Sequence, residues 1–309
     1  MARFDCSTRV RFHARRTEIT QSLATNGYAI VEAWDAGPDT LREVAESFGR
    51  IQTHIRADSN GLVGISPDTI VNRDWEKFRS EYHGVSTEEF LPHTDGSYLH
   101  GLVRKDGRYI ELLPPKMLLL QCWQAAENGG ANVLIDGQRV FADLLRDNPR
   151  HAKILSTKGS VTYCRDDQIA FDCAVFQPLS DGTTMLRFRY DGTAYVADWA
   201  AESFHLLQAG YFENPRYQIR CALTTKQIAI IDNYRMLHGR DAFNSSETGK
   251  VRSMRRIWLA YDRPAVLLNA VGEDRDRRAL QRFQAYDILP PAQIFTEADP
   301  FDGGIRIAA

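Results

Sequence analysis

The sequence predicts a mainly β fold, a barrel or sandwich with helices on its flanks. Short strand-like runs recur through residues 116–261, whereas helical patterns are confined to the first part of the chain and to two insertions. Strand-rich chains of this kind bury their apolar residues between sheet layers. No repeat, low-complexity segment or linker-like run interrupts the chain, so we expect a single domain over residues 1–309.

The N-terminal segment, about residues 1–55, is predicted to form a helical cap. Residues 14–27 indicate a helix that ends at a glycine, and the run 28–31 indicates a short strand. Residues 39–49 carry apolar side chains at helical spacing. We expect this helix, strand and helix to cover one side of a sheet.

Two later segments are candidate lid loops. Residues 56–90 show little periodicity and are rich in Ser, Asp, Asn and Glu, and residues 101–113 contain a Lys-Asp-Gly turn and end beside two prolines. Long irregular segments beside a binding site often close over it.

The remaining elements follow from alternation and helical spacing. Residues 136–148 and 198–212 predict helices. Strands are predicted over 116–123, 159–164, 184–190, 218–223, 227–232 and 254–261.

His93, Asp95 and His238 form the candidate metal site. Side chains two residues apart on a strand share a face, so His93 and Asp95 can bind one ion together. His238 follows a strand-like run and precedes a glycine, which is typical of a ligand at the mouth of a barrel. Two imidazoles and one carboxylate leave the opposite face of the metal open, as non-haem Fe(II) oxygenases require. The alternatives are a surface His–Asp pair and a histidine packed in the core.

Two arginines, Arg252 and Arg256, would share one face if the predicted strand 254–261 extends back to residue 252. Trp258 lies on the same face, as in a pocket wall. Buried guanidinium groups are costly unless they meet anions in bidentate geometry, and a dicarboxylate is one such partner. The alternative is a pair of exposed or salt-bridged arginines on an edge strand.

Composition restricts the partners. The net charge of -2 and a pI near 6.5 provide no basic surface for nucleic acid or anionic lipid. The N-terminus lacks the apolar core of a secretory signal, and no run approaches a membrane span. Five cysteines without a C-x-x-C pair indicate reduced, buried thiols. We therefore expect a cytoplasmic protein that acts on a small molecule and contacts neither nucleic acid nor membrane; self-association into a homo-oligomer stays open.

Four motifs together resemble the Fe(II)/2-oxoglutarate oxygenases of the taurine dioxygenase and clavaminate synthase type. They are HTD at 93–95, NGGANVLIDG at 128–137, DNYRMLHGRDAF at 232–243 and R-x-x-x-R at 252–256. The DN-x-x-x-LHGR pattern is similar to the γ-butyrobetaine and trimethyllysine hydroxylases. HTDGSYL and LHGRDAF are similar to bacterial enzymes that desaturate isocyanide-bearing tyrosine derivatives.

The resemblance implies a double-stranded β-helix (jelly-roll) core and the cofactors Fe(II), 2-oxoglutarate and O2. It implies that His93, Asp95 and His238 bind iron and that Arg252 takes the distal carboxylate of 2-oxoglutarate. Asn132 falls where the family often has Thr or Ser at this cosubstrate. Arg256 matches a position that grips an acidic group of the substrate in several members. No catalytic residue is implied beyond the metal ligands.

The implied reaction is oxidation of an unactivated C–H bond in a small, carboxylate-bearing, amino-acid-like metabolite, with release of succinate and CO2. Hydroxylation is the default, and desaturation or cyclisation is the alternative with the same cofactors. Tyr98, Trp123 and Trp258 are the candidate lining of the substrate pocket. The alternative functions from other classes are a metabolite-binding barrel without activity, a zinc hydrolase and a nucleic-acid demethylase.

Overall fold

The fold described here is that of a computed structural model. It divides into two compact units, the first comprising residues 1–95, 115–137 and 214–262 and the second comprising 96–114, 138–213 and 263–309. The expectation of one domain stays a prediction. The structure describes residues 3–52, 54, 57–67, 86–99, 101–105, 108–112, 114–165, 168–179, 182–244, 251–260 and 304–306.

The first unit contains most of the strands. In chain order its elements are β1 (Arg3–Asp5), α1 (Arg9–Asn26), β2 (Tyr28–Glu32), α2 (Pro38–Glu46), β3 (Ile51–Gln52), β4 (Leu62–Ile65), β5 (Phe90–His93), β8 (Met117–Gln124), β9 (Asn132–Asp136), a 3-10 turn (Pro215–Tyr217), β15 (Gln218–Cys221), β16 (Gln227–Asp232), β17 (Met236–Arg240) and β18 (Ser253–Leu259).

The second unit has smaller sheets and three helices. Its elements are β6 (Gly101–Lys105), β7 (Arg108–Leu112), α3 (Gly137–Asp147, whose first residue belongs to the other unit), α4 (Pro149–Leu155), β10 (Val161–Arg165), β11 (Gln168–Cys173), β12 (Phe176–Pro178), β13 (Thr184–Leu186), β14 (Ala194–Ala197), α5 (Asp198–Leu206), a π-helical turn (Leu207–Phe212) and β19 (Gly304–Arg306).

Two sheets in the first unit make the jelly-roll. The larger has the order β1-β2-β16-β8-β18-β3, with β4 also paired to β18, and all its pairs except β1–β2 are antiparallel. The smaller has the order β15-β9-β17-β5 and is antiparallel throughout. The predicted mainly β fold with flanking helices and a double-stranded β-helix core is confirmed.

Helices α1 and α2 cover the outer face of the larger sheet. Alternate residues of β8, β16 and β18 point toward the helices and form a fully buried apolar cluster with them. Helix α1 ends at Gly27, whose φ of +77° only glycine adopts readily. The cluster consists of Cys6, Phe12, Ile19, Leu23, Ala29, Val31, Ala33, Leu41, Val44, Ala45, Leu119, Ile228, Ile230, Ile257 and Leu259.

The two candidate lid segments contain more regular structure than expected. Strands β6 and β7 form an antiparallel hairpin, so the loop predicted over 101–113 is wrong in its backbone conformation. Within 56–90, residues 62–65 form β4, and residues 68–85 lie outside the described residues. The role of either segment as a lid stays a prediction.

Four cysteines, Cys6, Cys122, Cys173 and Cys221, are buried free thiols. Among the described residues, no helix has both the length and the apolar character needed to cross a membrane.

Candidate metal centre

The three predicted metal ligands come together at one end of the smaller sheet. His93 is the last residue of β5, and it lies directly opposite His238 on the neighbouring strand β17. Asp95 lies in the turn that follows β5 and not on the strand itself. The antiparallel pairing, which no local pattern shows, therefore joins residues 145 positions apart in the chain.

The geometry of the triad suits a single ion. Asp95 Oδ1 lies 3.6 Å from His93 Nε2 and 3.7 Å from His238 Nε2. One ligand atom from each residue lies within 4.8 Å of the others, and all three residues are buried. The His93 ring also bonds the Leu91 carbonyl oxygen through Nδ1 at 2.9 Å, which directs Nε2 toward Asp95. Two nitrogens and one carboxylate oxygen form the mixed donor set that Fe(II) binds, so these residues fit the metal.

The carboxyl group of Asp95 is held in its charged form. Burial alone would raise the pKa of Asp95, but the Arg256 guanidinium and the two histidines outweigh burial and hold the pKa well below its usual range. Asp95 is therefore already deprotonated at neutral pH, as a metal ligand must be.

Gly239, beside His238, permits the close approach of β17 and β5. A Cβ atom at this position would lie 2.7 Å from the Phe90 carbonyl oxygen and 2.8 Å from Pro92 N. A side chain here would force the strands apart and separate the two histidines.

Asn233 is a residue of the site that the sequence analysis missed. It is fully buried, its Oδ1 accepts from Asp95 N at 2.8 Å, and its Nδ2 donates to the carbonyl oxygens of Asp95 at 3.0 Å and Pro115 at 2.9 Å. These bonds fix the backbone of the metal-ligating turn. The signal was present, since Asn233 belongs to the DNYRMLHGRDAF motif, but a buried amide in a loop was not distinguished from a turn residue.

Arg256 and Trp258 project from β18 onto Asp95. Arg256 Nη1 donates to both carboxylate oxygens at 3.0 and 2.9 Å, and Trp258 Nε1 donates to Oδ2 at 2.8 Å. The predicted place of Trp258 in the lining of the substrate pocket stays a prediction. Its N–H belongs to the hydrogen bonding of the metal ligand, because β18 lies at the level of the turn after β5.

Arg252 immediately precedes β18 and lies on the wall of a cavity of about 150 Å³, more than a single water molecule needs. The side chain is buried, and its polar contact among the described residues is Asn132 Oδ1, 3.5 Å from Nη2. Burial lowers the pKa of Arg252 to about 10. The cavity is lined by Ala125, Ala126, Gly129, Gly130, Asn132, Ala222, Leu223, Thr224, Arg252 and Met254.

Gly130 allows the Arg252 side chain to lie against the backbone of the cavity wall. A Cβ on this residue, which has a φ of +68°, would lie 3.1 Å from Arg252 Cδ and 3.2 Å from Nε. The second glycine of the NGGANVLIDG motif is therefore explained by the space that the arginine occupies, and the first by the Ala242 carbonyl oxygen, which would lie 2.3 Å from a Cβ on Gly129.

Trp123 does not belong to the site, which corrects the expectation that it lines the substrate pocket. It lies on the same face of β8 as Leu119, toward the N-terminal helices, and is 45% exposed. Its ring stacks under the Arg255 guanidinium, 3.9 Å from the ring centroid. The run KMLLLQCW is apolar on both faces, so alternation could not assign Trp123 to one of them.

Tyr98 is a buried residue of the second compact unit, 6% exposed. Its role as a substrate contact stays a prediction.

Solved structures of similar fold include several oxygenases. An asparagine oxygenase bound to Fe(II), hydroxyasparagine and succinate aligns with a TM-score of 0.57 and 14% identity over 82% of each chain. A taurine dioxygenase from Burkholderia xenovorans aligns with a TM-score of 0.56 and 15% identity over 81% of this chain and 82% of that one. PvcB, an Fe, α-ketoglutarate-dependent oxygenase from an isonitrile synthetic pathway of Pseudomonas aeruginosa, gives 0.52 and 15% over 80% of each.

One curated relative and one family model extend this likeness to the sequence. A uridine-5'-phosphate dioxygenase from an Amycolatopsis species is 22% identical over 261 residues, which is 81% of this chain and 91% of the relative. The model of taurine catabolism dioxygenases, the TauD/TfdA family, matches residues 3–258. With a triad that can bind Fe(II), the protein is a 2-oxoglutarate-dependent dioxygenase that oxygenates a small substrate. The chain belongs to the TauD/TfdA family.

Proposed function

We propose that the enzyme hydroxylates an unactivated C–H bond of a small, amino-acid-like metabolite that carries a carboxylate. Fe(II), when bound with 2-oxoglutarate and O2, supplies the oxidising power, and the cosubstrate leaves as succinate and CO2. The protein has to hold the ion, orient both carboxylate-bearing molecules and keep water away from the reacting carbon.

In this proposal His93, Asp95 and His238 hold the iron on one face. The low pKa of Asp95 and the bond from His93 Nδ1 to a backbone carbonyl oxygen support these roles, because they keep the donor atoms unprotonated and directed at one point. A full carboxylate ligand at position 95 leaves no place for chloride, so halogenation is not proposed.

Arg252 is the proposed partner of the distal carboxylate of 2-oxoglutarate. Within the described part of the chain no carboxylate pairs with this buried guanidinium, and it borders a cavity. A bidentate carboxylate would supply the missing charge. Asn132, also on the cavity wall, uses one amide N–H on the Cys221 carbonyl oxygen and has a second for the cosubstrate.

The edge of the Arg256 guanidinium that faces away from Asp95 is the proposed binding site for the substrate carboxylate. Only Nη1 bonds Asp95, while Nε is buried and lacks a hydrogen-bond partner among the described residues. In a guanidinium, Nε–H and one Nη2–H point the same way and form a fork that matches a carboxylate. A substrate carboxylate bound there would contact the same guanidinium group that bonds the metal ligand Asp95.

A phosphate monoester is the second candidate group for this fork. The relative from Amycolatopsis is by name a uridine-5'-phosphate dioxygenase. Phosphate oxygens accept the same parallel pair of N–H bonds as a carboxylate. Uridine 5'-phosphate therefore belongs in the substrate panel beside amino acids, betaines and tyrosine-derived isocyanides.

The experiment begins with anaerobic titration of Fe(II) and 2-oxoglutarate, followed through the metal-to-ligand charge-transfer band. The panel is then scored by O2 uptake coupled to product mass. A product heavier by one oxygen is hydroxylation, and loss of two hydrogens is desaturation. The absence of both the band and any succinate would contradict the enzymatic proposal and favour a metabolite-binding barrel.

Arg256→Gln tests the substrate fork, with Arg255→Gln as its matched control. Arg255 is the next residue on the same strand, but it stacks on Trp123 and bonds the Ala36 carbonyl oxygen on the outer face. We expect the substrate KM to rise about 30-fold or more in the first variant only, since the loss of one partner of a buried charge pair costs about 2 kcal/mol or more. Equal KM values in both variants would rule out the fork.

A further inference from the structure

The two carboxylate oxygens of Asp95 have different surroundings. Oδ1 faces the imidazoles, with His93 Nε2 at 3.6 Å and His238 Nε2 at 3.7 Å. Oδ2 accepts the Trp258 indole N–H at 2.8 Å. Arg256 Nη1 lies within 3.0 Å of both oxygens and does not distinguish them. The indole is therefore the donor that makes the two oxygens unequal.

The indole ring is itself held in place from several sides. Trp258 is 3% exposed, and its ring meets the His54 ring edge-on, with centroids 4.4 Å apart and planes at 78°. The Arg256 guanidinium lies 5.0 Å from its centroid. The backbone of Trp258 is fixed between two neighbouring strands of the larger sheet. A donor so constrained delivers its hydrogen to one position without reorganisation.

A carboxylate can bind a divalent ion through one oxygen or through both. Binding through both would take a coordination position on the face opposite the histidines. That face has to accept two atoms of 2-oxoglutarate and one of O2, which together use the positions that three protein ligands leave open on a six-coordinate ion.

We infer that Trp258 is a positioning residue that keeps Asp95 a one-oxygen ligand. Its N–H occupies Oδ2, so Oδ1 alone remains for the metal, and the cosubstrate positions stay open. The inference rests on the proposed metal ligands. It assigns Trp258 a function beyond the predicted lining of the substrate pocket.

A purely structural role makes a different prediction. A buried indole N–H has to find some acceptor, and Asp95 would then be only a convenient one. Removal of the N–H would in that case change stability without changing how many water molecules the bound ion carries. The number of metal-bound waters separates the two roles.

The test loads the folded, metal-free protein with Mn(II) and measures water-proton relaxivity per bound ion, which reports metal-bound water. Trp258→Phe keeps an aromatic ring and removes the donor. We expect its relaxivity to fall by about one third relative to the wild type, because the second Asp95 oxygen displaces one of about three waters. Trp123→Phe, which alters an indole on the outer face of the same sheet, is the matched control and keeps the wild-type value.

A relaxivity per ion that is unchanged in Trp258→Phe overturns the inference, even if the variant is less stable. Benzothienylalanine at position 258, which replaces the N–H by sulfur at nearly the same shape, gives the same measurement if the phenylalanine variant does not fold. Mn(II) binding by the wild type distinguishes failure of this inference from failure of the proposed function. If the wild type binds no Mn(II) and Asp95→Ala does not differ from it, the metal site itself is refuted.

Discussion

Arg189 and Arg252 are both buried arginines, but among the described residues only Arg189 has a carboxylate as its counterion. Arg189, in the second compact unit, is 3% exposed and binds Asp191 Oδ2 through Nη2 at 2.6 Å and Nε at 2.8 Å. Thr193 completes the network by donating to Asp191 Oδ1 from both its N–H and its hydroxyl. The protein supplies the anion for this arginine from its own chain.

Arg252, in the first unit, is also buried, at 8% exposed, but has no carboxylate of its own among the described residues. Its polar neighbour is a neutral amide at 3.5 Å, and burial lowers its pKa to about 10. A buried cation without a counterion is unfavourable unless a ligand provides one. Arg189 has a carboxylate of the chain as its counterion, whereas Arg252 has none among the described residues and can therefore take that of an anionic ligand.

The largest effect is expected for Arg252→Gln. The variant keeps hydrogen-bonding capacity but loses the charge that 2-oxoglutarate would neutralise, so the Kd for this cosubstrate should rise about 100-fold. Anaerobic titration of the charge-transfer band measures it. The free energy of unfolding of the metal-free protein should not fall, because the variant no longer buries an uncompensated charge. A Kd within a few-fold of the wild type would break the comparison.

Asp191→Asn should have the reverse effect. It leaves Arg189 buried without an anion, so the free energy of unfolding should fall by about 3–5 kcal/mol, measured by urea denaturation. The Kd for 2-oxoglutarate of the folded variant should stay at the wild-type value. A decrease in the free energy of unfolding of less than about 1 kcal/mol would show that the Arg189–Asp191 pair contributes little to stability.

The same pair predicts a pH dependence. Burial alone would raise the pKa of Asp191, but Arg189 and Thr193 outweigh it and hold the pKa well below its usual range. A carboxyl group with a lowered folded-state pKa contributes stability that is complete above its unfolded pKa of about 3.8 and declines as the pH falls below it. The stability difference between wild type and Asp191→Asn should therefore shrink below about pH 4 and stay constant above about pH 5.

The smallest effect is expected for Trp123→Ala. Loss of the stacking of Arg255 on an exposed ring should cost about 0.5–1 kcal/mol of stability and leave the 2-oxoglutarate Kd and substrate KM unchanged. Parallel assays with Arg252→Gln provide the contrast. A substrate KM that rises in Trp123→Ala would return this residue to the pocket and contradict the assignment of faces.

The sequence predicted the chemistry of the site better than its hydrogen bonding. The HTD step, His238 and the two arginines could be selected because their residue types and spacing carry the chemistry. The bond from Trp258 to Asp95 could not, because it depends on how β18 aligns with a turn from another sheet. Contacts between residues 163 positions apart are set by tertiary packing, which local patterns do not encode.

Secondary structure shows the same division. The strand of 227–232 has the predicted bounds, and the helix predicted over 14–27 is present but begins five residues earlier, over 9–26. The polar residues and the Lys-Asp-Gly turn of 101–113 predict a loop, whereas β6 and β7 form a hairpin. The two short strands, Gly101–Lys105 and Arg108–Leu112, include charged residues and provide no continuous apolar run to identify them.

The bonds that Asn233 makes to the backbone of Asp95 and Pro115 have a consequence for how the enzyme acquires its metal. They hold the ligating turn in shape through contacts that need no ion. Divalent ions of similar size compete for a pre-formed site of this kind, so their supply in the cell contributes to which of them binds first. Iron scarcity would then favour inactive occupancy by a competing ion over loss of the fold.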